Sequence, residues 1–208
     1  MIEVDPPDRL IPPQRIKLKQ DEGAARAPAT PPKPTPESVL RFNQIIQMPP
    51  YSYPANIRLS LERKTPERNL EREITCNLGN LVEPLVLIYA DPQRGWDQPQ
   101  VRVMDFSGQS FPSGATYVFN LTPFNIGAQI ENTKVVLPPE QKKLIKDAAI
   151  EGKSFRYRVD AASGSLVAPI ANSSCQLGPQ ERLLIVAVPD STIKGRPPIT
   201  LRTITDSL

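Results

Sequence analysis

The chain has 208 residues, 39% of them apolar, with 25 prolines, two cysteines, no histidine and a formal charge of +3. That length accommodates one large β-domain or two small ones. Without histidine, Ser-His-Asp and Cys-His catalysis, imidazole acid–base chemistry, His-ligated metal sites and a blue-copper centre are all excluded.

Residues 1–37 read as a Pro-rich extended arm or linker. Twelve of the 25 prolines lie in residues 1–54, and such a composition offers little to bury while stiffening toward polyproline II. Within the arm, Arg15-Ile-Lys-Leu-Lys19 alternates and could add one strand to a sheet edge, in cis or on a partner. The PxxP spacings match SH3-type ligands only in composition, and a spacer is the simpler reading. The next stretch, 38–48, fits either a helix capped by Thr35 with Pro36 at its first position or a strand using Leu40, Phe42, Ile46 and Met48; the Pro49-Pro50 stop favours the strand.

From residue 55 the period is two. Ile57, Leu59 and Leu61 alternate with Arg58, Ser60 and Glu62, and Ile74, Cys76 and Leu78 form a second half-buried strand before the Gly79-Asn80 turn. Residues 85–90 are apolar on both faces, as in a central strand. A polar loop is expected over 91–100, then a strand over 101–104 and turns at Ser107-Gly108 and Pro112-Ser113-Gly114. Residues 115–137 carry three apolar runs separated by Thr122-Pro123 and Asn132-Thr133: a bent strand, a hairpin and a returning strand, with Tyr117, Phe119 and Leu121 inward. Residues 139–149 could form one to three helical turns. Strands are then expected around Phe155-Arg-Tyr-Arg-Val159, over 165–170, over 182–188 and over 199–204.

Short strands at this spacing, divided by Gly/Pro turns, predict an all-β fold: an antiparallel Ig-like β-sandwich of about ten strands occupying 38–208 as a single domain. Residues 66–208 hold 15 Lys/Arg against 15 Asp/Glu. The charges are interspersed, with no cation cluster to displace phosphate counterions, so no nucleic-acid partner is implied. No apolar run approaches the ~20 residues that span a bilayer as a helix, so no transmembrane segment is expected.

No GxGxxG, GxxxxGK[ST] or GxSxG motif occurs, so nothing implies a nucleotide, another cofactor or a hydrolase elbow, and the chain reads as no enzyme. The remaining chemistry is sparse. Asp91, Asp97 and Asp105 lie near one loop and could supply a carboxylate pair or a Ca²⁺ site, but their spacing matches no calcium loop. Trp96, the only tryptophan, sits in that loop beside Arg94; it could stack on a sugar, anchor a protein or fold back as a lid. Asp91, Arg94, Trp96 and Asp97 are therefore the candidate contacts for a ligand or partner. Cys76 and Cys175 could form one disulfide in an oxidising compartment or be two unrelated buried thiols. Asn120-Leu-Thr122 and Asn172-Ser-Ser174 fit the glycosylation sequon, a pattern common by chance.

Tyr117-Val-Phe-Asn-Leu-Thr-Pro123, then Val135-Val-Leu-Pro-Pro139 and the strand after Gly178-Pro179, resemble small bacterial sandwich modules of unassigned function. The resemblance implies an Ig-like fold and an envelope or secreted setting, with no catalytic residues to carry over. Met1-Ile2-Glu3-Val4-Asp5 is no signal peptide. This leaves a cytoplasmic protein or an exported one whose signal has been removed, and the Pro-rich leader favours export. The expectation is a non-enzymatic structural or protein-interaction module, with a protein partner or self-association through the arm. The alternative is a carbohydrate-binding or carbohydrate-active domain using residues 91–100.

Overall fold

The computed structural model describes residues 15–19, 37–39, 55–64, 69–91, 93–146, 154–163, 166–190, 192–193 and 197–207. Among the described residues the chain is all-β, with fourteen strands and no helix. Contacts divide it into two compact units, 1–104 and 105–208, whereas the sequence pattern grouped 38–208 as one sandwich. Two separate apolar clusters underlie that division, each fed by strands of its own half.

The first unit holds β1 (Arg15–Lys19), β2 (Glu37–Val39), β3 (Asn56–Lys64), β4 (Asn69–Asn77), β5 (Pro84–Asp91) and β6 (Gly95–Asp105), the last of which ends one residue past its boundary. Four strands form an antiparallel sheet in the order β2-β1-β3-β4. The alternating piece at 15–19 thus pairs in cis, with Ile16 opposite Leu61 and Leu18 opposite Leu59. Strand alternation sends Ile57, Leu59, Leu61 and Cys76 into one core, which Val86 and Ile88 of β5 and Val101 and Val103 of β6 cover. The opposite face is polar, and there the buried Ser60 hydroxyl donates to Glu71 at 2.5 Å.

Two expectations change here. The run at 85–90 is not a central strand; it is one arm of a two-stranded β5–β6 sheet and only half-buried. The polar loop at 91–100 shrinks to a tight turn, because β6 begins at Gly95, whose φ of +60° suits a residue without a Cβ. Of the stretch 38–48, residues 38–39 belong to β2 and the remainder lies outside the described residues.

The second unit contains β7 (Thr116–Asn120), β8 (Asn125–Ile130), β9 (Thr133–Leu137), β10 (Lys142–Ile145), β11 (Ser154–Ser163), β12 (Leu166–Gln176), β13 (Glu181–Pro189) and β14 (Ile199–Ser207). They form two four-stranded sheets, β10-β7-β13-β14 and β12-β11-β8-β9, antiparallel except where β7 runs parallel to β13. One core takes side chains from both, including Val118, Ile185 and Ile199 of the first and Ile126, Ile130 and Val159 of the second. That makes the unit β-sandwich-like.

A strand stands where residues 139–149 offered helical turns: Lys142–Ile145 pairs with β7, which needs the extended backbone, and residues 147–149 lie outside the described residues. Within β7 it is Val118 that enters the common core. Tyr117 instead packs edge-on against Phe111, their centroids 5.0 Å apart, because the segment before β7 folds over that face and covers it.

Candidate functional site

Asp91, Arg94, Trp96 and Asp97 do come together, in the β5–β6 hairpin. The Asp91 carboxylate accepts the Gln93 and Arg94 amides, each at 2.8 Å, and the Gln100 side-chain amide at 2.9 Å. It therefore closes the turn from both sides, as Asx residues do. Arg94 donates to Gln98, and the Asp97 amide returns to the Arg94 carbonyl at 3.3 Å. Trp96 is half-buried on β6 rather than displayed on a loop. Asp105 caps the next turn, its carboxylate held below the usual range by the Ser110 hydroxyl and the Ser107 amide. Both carboxylates thus serve turns, and no group of three His, Cys, Asp or Glu suited to a metal ion occurs among the described residues.

The cysteines carry free thiols, so the disulfide weighed from the sequence is not formed in this structure. Cys76 is enclosed by the core of the first unit, and burial pushes its pKa up to about 11. Cys175 packs against the core of the second unit, and burial raises its thiol as well, with the Glu181 charge adding to the effect. The stretch around it belongs to β12, which runs to Gln176.

Two buried polar centres escaped the sequence reading. Asn120, 0% exposed, donates from Nδ2 to the carbonyls of Phe124 at 2.7 Å, Leu137 at 3.0 Å and Pro138 at 3.0 Å. Its Oδ1 accepts the Thr122 amide at 3.0 Å and the Thr122 hydroxyl at 2.7 Å. The Asn-Leu-Thr triplet is thus an internal knot tying the β7–β8 bend to the end of β9, closed to glycosylation in the folded chain. The available signal was an Asn inside an otherwise apolar strand.

The second centre is Arg182, 3% exposed at the start of β13. Its Nε and Nη2 donate to Asp206 Oδ2 at 2.9 and 2.7 Å, and its Nη1 donates to the Phe111 carbonyl at 2.7 Å. Arg182 and Asp206 are register partners across β13 and β14. The guanidinium also lies 4.0 Å from the Phe106 ring centroid and 5.1 Å from that of Phe111. This clamp fixes the segment before β7 onto the sheet.

A different character marks the seam between β9 and β10, one edge strand from each of the two sheets of the second unit. Val136 on β9 is 75% exposed, with exposed Lys134 beside it and exposed Lys142 and Lys143 on β10. Between the strands lies a shallow concavity of ≈520 Å³ lined by residues 135–138 and 141–143. Lys142 Nζ sits 5.5 Å from the Tyr117 ring centroid. Edge strands present unpaired backbone donors and acceptors, so an exposed aliphatic there marks a surface able to take another strand. Other exposed apolar side chains, Val82 at 86% and Val167 at 63%, lie on the β4–β5 connection and on β12.

No protein-family model matches this sequence, and no curated protein matches it either. Among the described residues no helix is long and apolar enough to cross a membrane.

Proposed function

We propose that this protein is a non-enzymatic structural or protein-interaction module of the cell envelope or secreted space, with an Ig-like second unit. The observation that carries the reading is the β9–β10 seam: an open edge strand with Val136 outward, a concavity beside it and lysines around it. Backbone pairing to such an edge supplies affinity, and the flanking side chains supply selectivity. The non-enzymatic part is supported by the lack of histidine and by the use made of the polar groups: Asp91, Asp105, Asn120 and Asp206 all bond to turns, strand ends or Arg182. Two four-stranded sheets closing on one core support the Ig-like reading. The exported setting rests on the Pro-rich leader.

Lysine-reactive cross-linking in the producing cells, read by mass spectrometry, tests the interaction. Links from Lys134, Lys142 or Lys143 to another protein chain are expected, and Val136→Glu should abolish them while leaving the melting temperature unchanged. If no intermolecular links form there, or they survive Val136→Glu, the reading fails. Recovery of the protein in the cytoplasmic fraction would overturn the exported setting.

A further inference from the structure

We infer that β14 is the interface of a symmetric dimer, in which the β14 strands of two copies of this chain pair antiparallel about Ile204. The inference stands apart from the β9–β10 seam, which lies on other strands. β14 ends its sheet among the described residues, and Thr203, Thr205 and Ser207 along it are exposed. Its nine residues keep one unbroken register with β13 and contain no proline. β12, which ends the facing sheet, is blunted instead: Pro169 stands in it, and its register with β11 slips between Val159 and Asp160. A long, regular edge without such protection pairs readily with another strand.

Backbone direction fixes what β14 offers. The Leu183 amide donates to the Ala115 carbonyl and the Ala187 carbonyl accepts the Leu121 amide, so the odd residues of β13 bond toward β7 and the even ones toward β14. Ile204 is the register partner of Leu184. Arg202, Ile204 and Asp206 therefore bond inward to β13, while Leu201, Thr203, Thr205 and Ser207 turn their amides and carbonyls to the open side. With a two-fold axis at Ile204, Thr203 of each copy exchanges hydrogen bonds with Thr205 of the other, and Leu201 does so with Ser207. The two Ile204 side chains meet, and Arg202 of each copy faces Asp206 of the other on the same face of the sheet. Arg202 is half-buried and has no side-chain partner among the described residues. Arg182 bonds only Oδ2 of Asp206, which leaves Oδ1 to a second cation. An axis at Thr203 would set Arg202 against Ile204, and an axis at Arg202 would set two cations face to face. The charges thus select the register about Ile204.

Light scattering of the full chain after size-exclusion chromatography, over a range of concentrations, tests this, with disulfide trapping to read the register. Wild type should pass from dimer to monomer on dilution. Arg202→Glu should raise the dissociation constant roughly tenfold or more, since both pairs with Asp206 become like-charge contacts. Thr205→Pro should dissolve the dimer and leave the strand signal in circular dichroism intact, because that amide points away from β13. In a Cys175→Ser background, Ile204→Cys should oxidise to a linked dimer, while Arg202→Cys should stay unlinked. Val136→Glu should change none of this, which separates the dimer from the seam. A wild-type monomer at every concentration, a dimer indifferent to Arg202→Glu and Thr205→Pro, or a dimer lost in Val136→Glu overturns the inference. So does linking through Arg202→Cys as fast as through Ile204→Cys.

Discussion

Asn120→Ala is the sharpest probe of what holds the second unit together. The side-chain amide has two hydrogens for three carbonyl acceptors at 2.7, 3.0 and 3.0 Å, so at least one is shared, and its oxygen accepts two bonds from Thr122. Taking two donated and two accepted bonds at ~1 kcal/mol each gives a gross loss of ~4 kcal/mol. The Thr122 hydroxyl can turn toward the Phe124 carbonyl, 3.4 Å away, and recover part of that. A net cost of ~3 kcal/mol follows, or ~1–2 M in urea midpoint at ordinary slopes. Asn120→Asp has nearly the same shape but the opposite consequence, for it aims a carboxylate at three carbonyl oxygens in a fully buried site. At neutral pH it should cost ~2 kcal/mol more than alanine. That extra cost has a pH signature. Burial and the carbonyls raise the carboxyl's folded pKa above its unfolded value of ~3.9, so the folded state holds the proton more tightly. Stability is then greatest with the group protonated and is lost as pH rises through the folded pKa. Urea unfolding of both variants, followed by circular dichroism across that range, checks the reasoning. It is refuted if alanine costs less than ~1 kcal/mol, if aspartate is no worse at neutral pH, or if the gap between them fails to narrow in acid.

Two further outcomes follow from the buried groups. Arg182→Met leaves Asp206 and the Phe111 carbonyl without their cation and should cost ~3–5 kcal/mol, whereas Arg182→Met with Asp206→Leu should recover much of it; additive losses in urea unfolding would contradict the clamp. Cys76, its pKa raised from 9.0 to about 11, should resist alkylation in the native protein while Cys175 reacts. Because the folded thiol keeps its proton when the unfolded one has lost it, stability should decline as pH rises from the unfolded value toward the folded one. Labelling followed by mass spectrometry and urea melts at rising pH measure both; equal labelling rates, or a flat stability, would rule the effect out.

Where the sequence was legible, one physical signal was responsible: period-two alternation with one wet face. Ile57, Leu59, Leu61 and Cys76 in the first unit, and Phe155, Tyr157 and Val159 in the second, are buried as that alternation requires. It fails where both faces are covered or where turn residues hide short pairings. Phe119 and Leu121 are buried as expected, but it is Val118 that enters the common core, while Tyr117 packs edge-on against Phe111. Residues 95–100 are mostly polar yet belong to the β5–β6 ladder, since polar side chains on a hairpin leave the backbone pairing unchanged. The candidate site was legible only by composition. Asp91 and Trp96 were singled out as rare chemistry in a presumed loop, while the β9–β10 seam announced itself by nothing more than two valines and three lysines.

The sequence by itself determined the all-β character, through alternation and proline placement, and it removed imidazole chemistry, through the absence of histidine. Only the tertiary structure decided what depends on residues far apart in the chain. It joined Arg182 to Asp206 and Phe111, and Asn120 to the end of β9. It also divided the core in two and left β9 and β10 as neighbouring open edges. Alternation is a local property carried by successive side chains, whereas a partner, a core boundary or an edge exists only once strands distant in sequence have met.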